Sequence, residues 1–113
     1  MKPKILHIDE RIDPAYRDDI LRAEEALERV LGEGGPRVEV RWDAASDGAD
    51  CVARLTLSDS GVSKSHDFYE FEFREARHVR QKLRNLWDEI LAERARILQG
   101  RIRESLANSG GQE

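Results

Sequence analysis

Hydrophobic positions change their period several times along these 113 residues. Ile5-Leu6-His7-Ile8 is a short β-branched run and predicts a first strand. Tyr16, Ile20, Ala23, Leu27 and Val30 then recur every three or four residues, the spacing of a helix with one buried face. Asp13-Pro14 starts that helix, since an Asp N-cap accepts from an unpaired N–H and Pro suits the first helical position. Asp18 and Asp19 lie near its positive dipole end, and Asp18/Arg22 and Glu25/Arg29 have i,i+4 spacing for pairs on its wet side. Gly32, followed by Gly34-Gly35-Pro36, ends it. Val38, Val40 and Trp42 alternate with charged residues, which predicts a strand with one solvated face. A polar turn, Ser46-Asp47-Gly48-Ala49-Asp50, leads to a third strand with Cys51, Ala53, Leu55 and Leu57 inward and Val52, Arg54 and Thr56 outward. Asp59-Ser60-Gly61 signals a hairpin, so the chain from Val62 returns antiparallel.

Between Val62 and Phe73 two patterns compete. Tyr69, Phe71 and Phe73 alternate with Glu70 and Glu72, as in a strand, while Asp67 is placed to cap a helix. The alternation favours a fourth strand through most of 62–72, with a long helix beginning near Arg74. In that helix Val79, Leu83, Leu86 and Ile90 form an apolar stripe, and beyond Glu93-Arg94 a second apolar group follows: Ile97, Leu98, Ile102 and Leu106. A helix from 74 to 106 runs about 50 Å at 1.5 Å per residue, whereas a six-residue strand spans roughly 20 Å. The far end therefore overhangs. Either Gly100 breaks the helix and a second helix folds back over those apolar residues, or they meet a partner.

The expected architecture is an α+β two-layer domain, βαβββα, with an antiparallel-rich four-stranded sheet and two helices on one face. A single domain over 1–107 and a disordered tail over 108–113 complete it. No run approaches the ~18–20 apolar residues of a membrane span, and the N-terminus lacks the apolar core of a secretory signal. One cysteine, Cys51, excludes an internal disulfide and points to a reducing cytoplasm. Fifteen of the nineteen basic residues are Arg, in keeping with a GC-rich bacterial genome.

Charge changes the picture more than composition does. Ten Lys and Arg face seventeen Asp and Glu up to Phe73, but nine face six from Arg74 onward. Arg74, Arg77, Arg80, Lys82 and Arg84 concentrate on the last helix, a surface suited to RNA phosphates or to an acidic protein. No catalytic constellation accompanies it. His7 and Asp9 lie two apart on a strand, too few ligands for a metal site. His66 reads as a turn or strand end, His78 as part of the basic flank, and Cys51 as an inward thiol without a base. Gly34-Gly35 lacks phosphate-loop spacing. The expectation is a binding protein without enzyme activity, cofactor or metal.

The element order, with Arg37-Val38-Glu39-Val40, Cys51-Val52-Ala53-Arg54-Leu55 and Lys82-Leu83-Arg84-Asn85-Leu86, resembles the ribosome hibernation-promoting factor and ribosome-associated inhibitor family over residues 4–98. That resemblance implies a βαβββα fold, binding in the decoding channel of the small ribosomal subunit, and Arg74, Arg77, Arg80, Lys82 and Arg84 on ribosomal RNA phosphates. The alternating aromatics are expected to face the core, leaving no stacking platform, and the first helix is acidic. The alternative expectation is a homodimer, or an acidic protein partner, held through Ile97, Leu98, Ile102 and Leu106.

Overall fold

The computed structural model describes residues 2–45 and 50–110. Its elements are β1 (Lys4–Ile8), α1 (Arg17–Leu31), β2 (Glu39–Ala44), β3 (Cys51–Asp59), β4 (Val62–Tyr69), α2 (Glu70–Phe73) and α3 (Ala76–Gly110). A 3₁₀ turn, Pro14–Tyr16, leads into α1, and Asp13 caps it by accepting the Ala15 N–H at 2.9 Å. Gly32 ends α1 at a positive φ of 55°, where Gly carries no Cβ penalty. The polar turn expected over 46–50 lies, for 46–49, outside the described residues.

The four strands form one sheet in the order β1-β2-β3-β4, with β1 parallel to β2 and the other pairs antiparallel. α1 is the crossover that a parallel neighbour requires. Val38, Val40, Trp42, Ala53, Leu55, Leu57 and Phe68 are fully buried on one face, against Leu27 of α1 and Leu83, Leu86 and Ile90 of α3. This is the α+β architecture expected. The other face is polar, with cross-strand side-chain bonds Thr56–Ser65 and Ser58–Ser63 and an Arg54–Asp67 pair at 2.7 Å.

Local readings fail where a side chain captures the backbone. The fourth strand stops at Tyr69, and 70–73 form a short helix. Glu72 reaches back to accept the Tyr69 N–H at 3.0 Å, which turns the chain out of the sheet. Phe71 is thereby exposed and stacks on Tyr69, so the alternating aromatics do not all face the core; Phe68 does. Arg22 pairs with Asp19 at 2.6 Å rather than with Asp18. His66 sits within β4, not at its end, and its Nε2 lies 3.0 Å from Glu89. Cys51 is only half-buried, and burial is the main cause of its raised thiol pKa.

α3 is continuous through Gly100 and runs to Gly110, into the stretch expected as a tail, while 111–113 lie outside the described residues. It runs antiparallel to β4: Lys82 meets Asp67, Glu89 meets His66, and Arg94 meets Asp59 at the β3–β4 turn. Asp59 is 3% exposed and also accepts the Ser60 hydroxyl at 2.9 Å. Ser60 and Gly61 take φ of 54° and 82°, which the tight hairpin requires. Past Arg94 the helix leaves the domain, and the molecule measures 65 × 30 × 23 Å.

At the opposite edge, Asp9 fastens β1. Its backbone N–H donates to Trp42 O at 2.8 Å, and its carboxylate accepts from Ala44 N and from the Arg11 backbone and guanidinium. The Arg11 side chain, then the Ala44 and Arg11 N–H groups, hold this carboxyl well below the usual carboxylate range. Its contribution to stability is therefore complete above the free-carboxyl value and is lost as the pH falls toward the lower folded value. Asp9→Asn is expected to lower the unfolding midpoint at pH 7. In a thermal series the gap to wild type should narrow as the pH drops below about 4.

Candidate nucleic-acid interface

α1 and α3 lie side by side on the sheet, and small side chains keep a cleft open between them. Ala23, Ala26 and Val79 line its floor, Phe73 and Tyr16 its far end, and it encloses about 590 Å³. An aromatic series runs into it from the core, Trp42–Phe68 and Phe68–Phe73 at 5.6 Å and Phe73–Tyr16 at 6.4 Å. Burial, reinforced by Glu70 and Asp13, raises the Tyr16 pKa, so its phenol stays neutral.

Arg22, Arg29, Arg74 and Arg80 line the cleft. Asp19 takes Arg22 and Glu70 takes Arg74, the latter at 2.9 Å. Arg29 and Arg80 have no ion-pair partner among the described residues. At about 100° per residue, Arg77, Arg80 and Arg84 fall in one sector of α3 on the solvent side of the cleft. Arg77 is held only loosely, 3.6 Å from Glu75. Arg74 is not on α3 as expected but caps the end of α2, because the chain turns before Ala76. Even so, four of the five basic residues singled out, Arg74 with Arg77, Arg80 and Arg84, lie on or beside one surface.

Lys82 does not join them. It projects toward β4, where its Nζ lies 2.6 Å from Glu72 and also donates to the Asp67 carbonyl. The ammonium sits over the Phe68 and Tyr69 rings at 5.1 and 5.3 Å. Its work is to fix α2 against α3. Two residues missed from sequence replace it, Arg22 and Arg29 of α1. Seven apart and flanking Ala26, they turn toward α3, while most acids of α1 turn elsewhere. That spacing was the available signal.

The apolar group on the overhang also divides. Ile97, Leu98, Ile102 and Leu106 are all exposed. Leu98, Ile102 and Leu106 continue a line begun by Leu91 and Ala95, about a third of a turn from the buried stripe of Val79, Leu83, Leu86 and Ile90. Ile97 lies instead on the extension of the buried stripe.

The parallel pairing of β1 and β2 adds Asp43 to the His7–Asp9 pair, bringing their ligand atoms within 4.8 Å of one another. Asp9 is already committed to Arg11 and Ala44, and His7 stands 3.8 Å from Asp43. Both oxygens of Asp9 carry strong donors, so the trio is an edge-strand clamp with a guanidinium where a cation would sit. No helix among the described residues is long and apolar enough to cross a membrane. No protein-family model and no curated protein sequence matches this chain.

Lys82→Ala leaves the largely buried Glu72 with the Tyr69 N–H but without its cation, and should cost about 1–3 kcal/mol in urea unfolding. Arg80→Ala, on the exposed rim, should stay within about 0.5 kcal/mol of wild type in the same measurement.

Proposed function

We propose that this protein is a non-enzymatic binding domain that docks on an RNA phosphate backbone through the α1–α3 cleft, with ribosomal RNA of the small subunit as its target in the cytoplasm. The observation that carries this reading is the set of Arg29, Arg80 and Arg84, cations without an ion-pair partner among the described residues, beside the loosely held Arg77. A guanidinium without an internal carboxylate is available for bidentate contact with phosphate. Rigid support favours the same reading: Arg80 and Arg84 bracket the buried Leu83, so their Cα positions are set by the core. Binding of this kind positions without reading bases, and the domain would act by occupying its site. The mixed signs of α1 are divided by side: Arg22 and Arg29 rim the cleft together with Asp19, which Arg22 neutralises, and Glu25, while Asp18, Glu24 and Glu28 lie away from it.

A second reading concerns the overhang, where Leu98, Ile102 and Leu106 stand 58%, 52% and 68% exposed on a helix end that nothing among the described residues covers. That degree of exposure supports protein association through the end of α3. The two readings use different stretches of the helix.

Co-sedimentation with purified small ribosomal subunits tests the first. Engaging Arg29, Arg77, Arg80 and Arg84 should give a slope of log K against log salt of about −3 to −4. Arg77→Glu/Arg80→Glu/Arg84→Glu should abolish binding with an unchanged circular dichroism spectrum. Binding that ignores salt, or survives the triple variant, would remove the cleft from consideration.

A further inference from the structure

Nine of the ten exposed large apolar side chains among the described residues fall in two patches. One is the overhang, Leu91, Ile97, Leu98, Ile102 and Leu106; the other is the edge of the domain where β1 meets α1, Ile5, Leu6, Ile8 and Leu21. Phe71 stands apart, stacked on Tyr69.

At that edge two depressions of about 320 and 240 Å³ share Leu21 and run along α1. Ile8, Ile12 and Ile20 line the first, Ile5 and Pro3 the second. Their combined rim is acidic: Glu10, Asp13, Glu24, Glu25 and Glu28, against only Lys2 and Arg17. The result is an apolar groove with carboxylates along its borders.

The overhang has the opposite dressing. Beyond Leu91, the residues flanking the Leu91-Ala95-Leu98-Ile102-Leu106 line are Arg94 and Arg101 on one side and Arg96 and Arg103 on the other. Glu93 and Glu104, the only acids from there to 110, spring from the far side of the helix. Glu93 pairs with Arg96 and Asp59 with Arg94, so Arg101 and Arg103 are the arm's cations without an ion-pair partner among the described residues. Pairing this line with itself crowds the Arg101 and Arg103 guanidiniums of two copies with no carboxylate along the line to offset them. An acid-bordered groove accepts it without that repulsion. The lengths agree too: the apolar line and α1 each extend about 22 Å.

We infer that the end of α3 from one protomer lies in the β1–α1 groove of a second copy, reciprocally, so that two arms are exchanged across a twofold axis. This deepens the second reading above, naming the surface that receives the arm. The apolar line enters between Leu21 and the Ile5/Ile8 side of β1, and Arg101 and Arg103 reach the carboxylates on the rim. Reciprocal exchange closes the assembly at two copies and covers, in each, the Leu91–Leu106 line and the groove along Ile5, Ile8 and Leu21. The cleft between α1 and α3 lies on the other flank of α1 and stays open in the dimer.

Sedimentation velocity on the full chain tests this. Wild type should run as a dimer, and Leu98→Asp/Ile102→Asp as a monomer. Leu21→Arg, with its arm intact, should also be monomeric. Both sites are exposed, and thermal unfolding will confirm that each variant is folded. An equimolar mixture of the two variants keeps one intact arm and groove, and should regain a heterodimer at least tenfold weaker than wild type. Gly100→Ala, where a Cβ meets nothing within 4 Å and the position faces away from the apolar line, should dimerise like wild type. A Leu21→Arg variant that still dimerises would overturn the groove and leave an arm that pairs with itself. A wild-type chain monomeric at 100 µM, on the order of 10⁵ times a nanomolar dimer constant, would overturn both the groove and the second reading.

Discussion

A sheet can cover a helix only as far as its strands reach. The longest strand, β3, has nine residues and spans about 30 Å, while the 35 residues of α3 run about 52 Å. Everything distinctive about the molecule follows from that mismatch. Up to Ile90 the helix is a core element with a face fully withdrawn from water. Beyond Arg94, whose guanidinium holds the buried Asp59 at 3.0 Å, it is an arm. The Asp59–Arg94 pair marks the boundary, and burial on the Asp59 side makes it a fixed point rather than a loose surface contact.

The apolar line changes face across that boundary. Val79, Leu83, Leu86 and Ile90 address the sheet, whereas Leu91, Leu98, Ile102 and Leu106 point about a third of a turn away. A straight helix obeying one hydrophobic period would have kept a single face. Shifting it by one residue, from Ile90 to Leu91, lets one rigid rod serve two surfaces with different orientations. The basic residues obey the same geometry: Arg77, Arg80 and Arg84 occupy the sector that the apolar line later takes over. One side of α3 is therefore charged beside its own domain and apolar beyond it.

Much of this was legible in the residues. The alternations at Val38-Val40-Trp42 and Ala53-Leu55-Leu57 report a one-sided sheet because period two leaves no other face to bury. Asp13-Pro14 and Asp59-Ser60-Gly61 bounded their elements correctly, since caps and tight turns are local chemistry. What was illegible required contacts far apart in sequence. The Tyr69-Phe71-Phe73 alternation looked like strand, yet Glu72 captures the Tyr69 N–H and Lys82, ten residues on, stabilises the turn by pairing with Glu72. Lys82 itself looked like a member of the basic surface; only the tertiary position of β4 reveals it as an internal partner. Arg22 and Arg29 were hidden by the net acidity of α1, a quantity that discards which side of a helix each charge occupies.

The attachment of β1 has a bearing on how the domain comes apart. β2, β3 and β4 form a meander whose pairings close over short loops, and they share the core with α3. β1 joins by a long crossover, and all five of its residues are exposed. It is held at one end by the Asp9 carboxylate and by a single line of backbone bonds to β2. Loop closure makes that pairing the last to repay its entropy, and little buried apolar area resists its loss. The stability of the molecule is thus graded rather than uniform, with a detachable first strand on a cooperative β2–β4 and α3 body. Amide exchange would register this as early release of the β1–β2 ladder while the Leu55 and Leu57 amides stay protected.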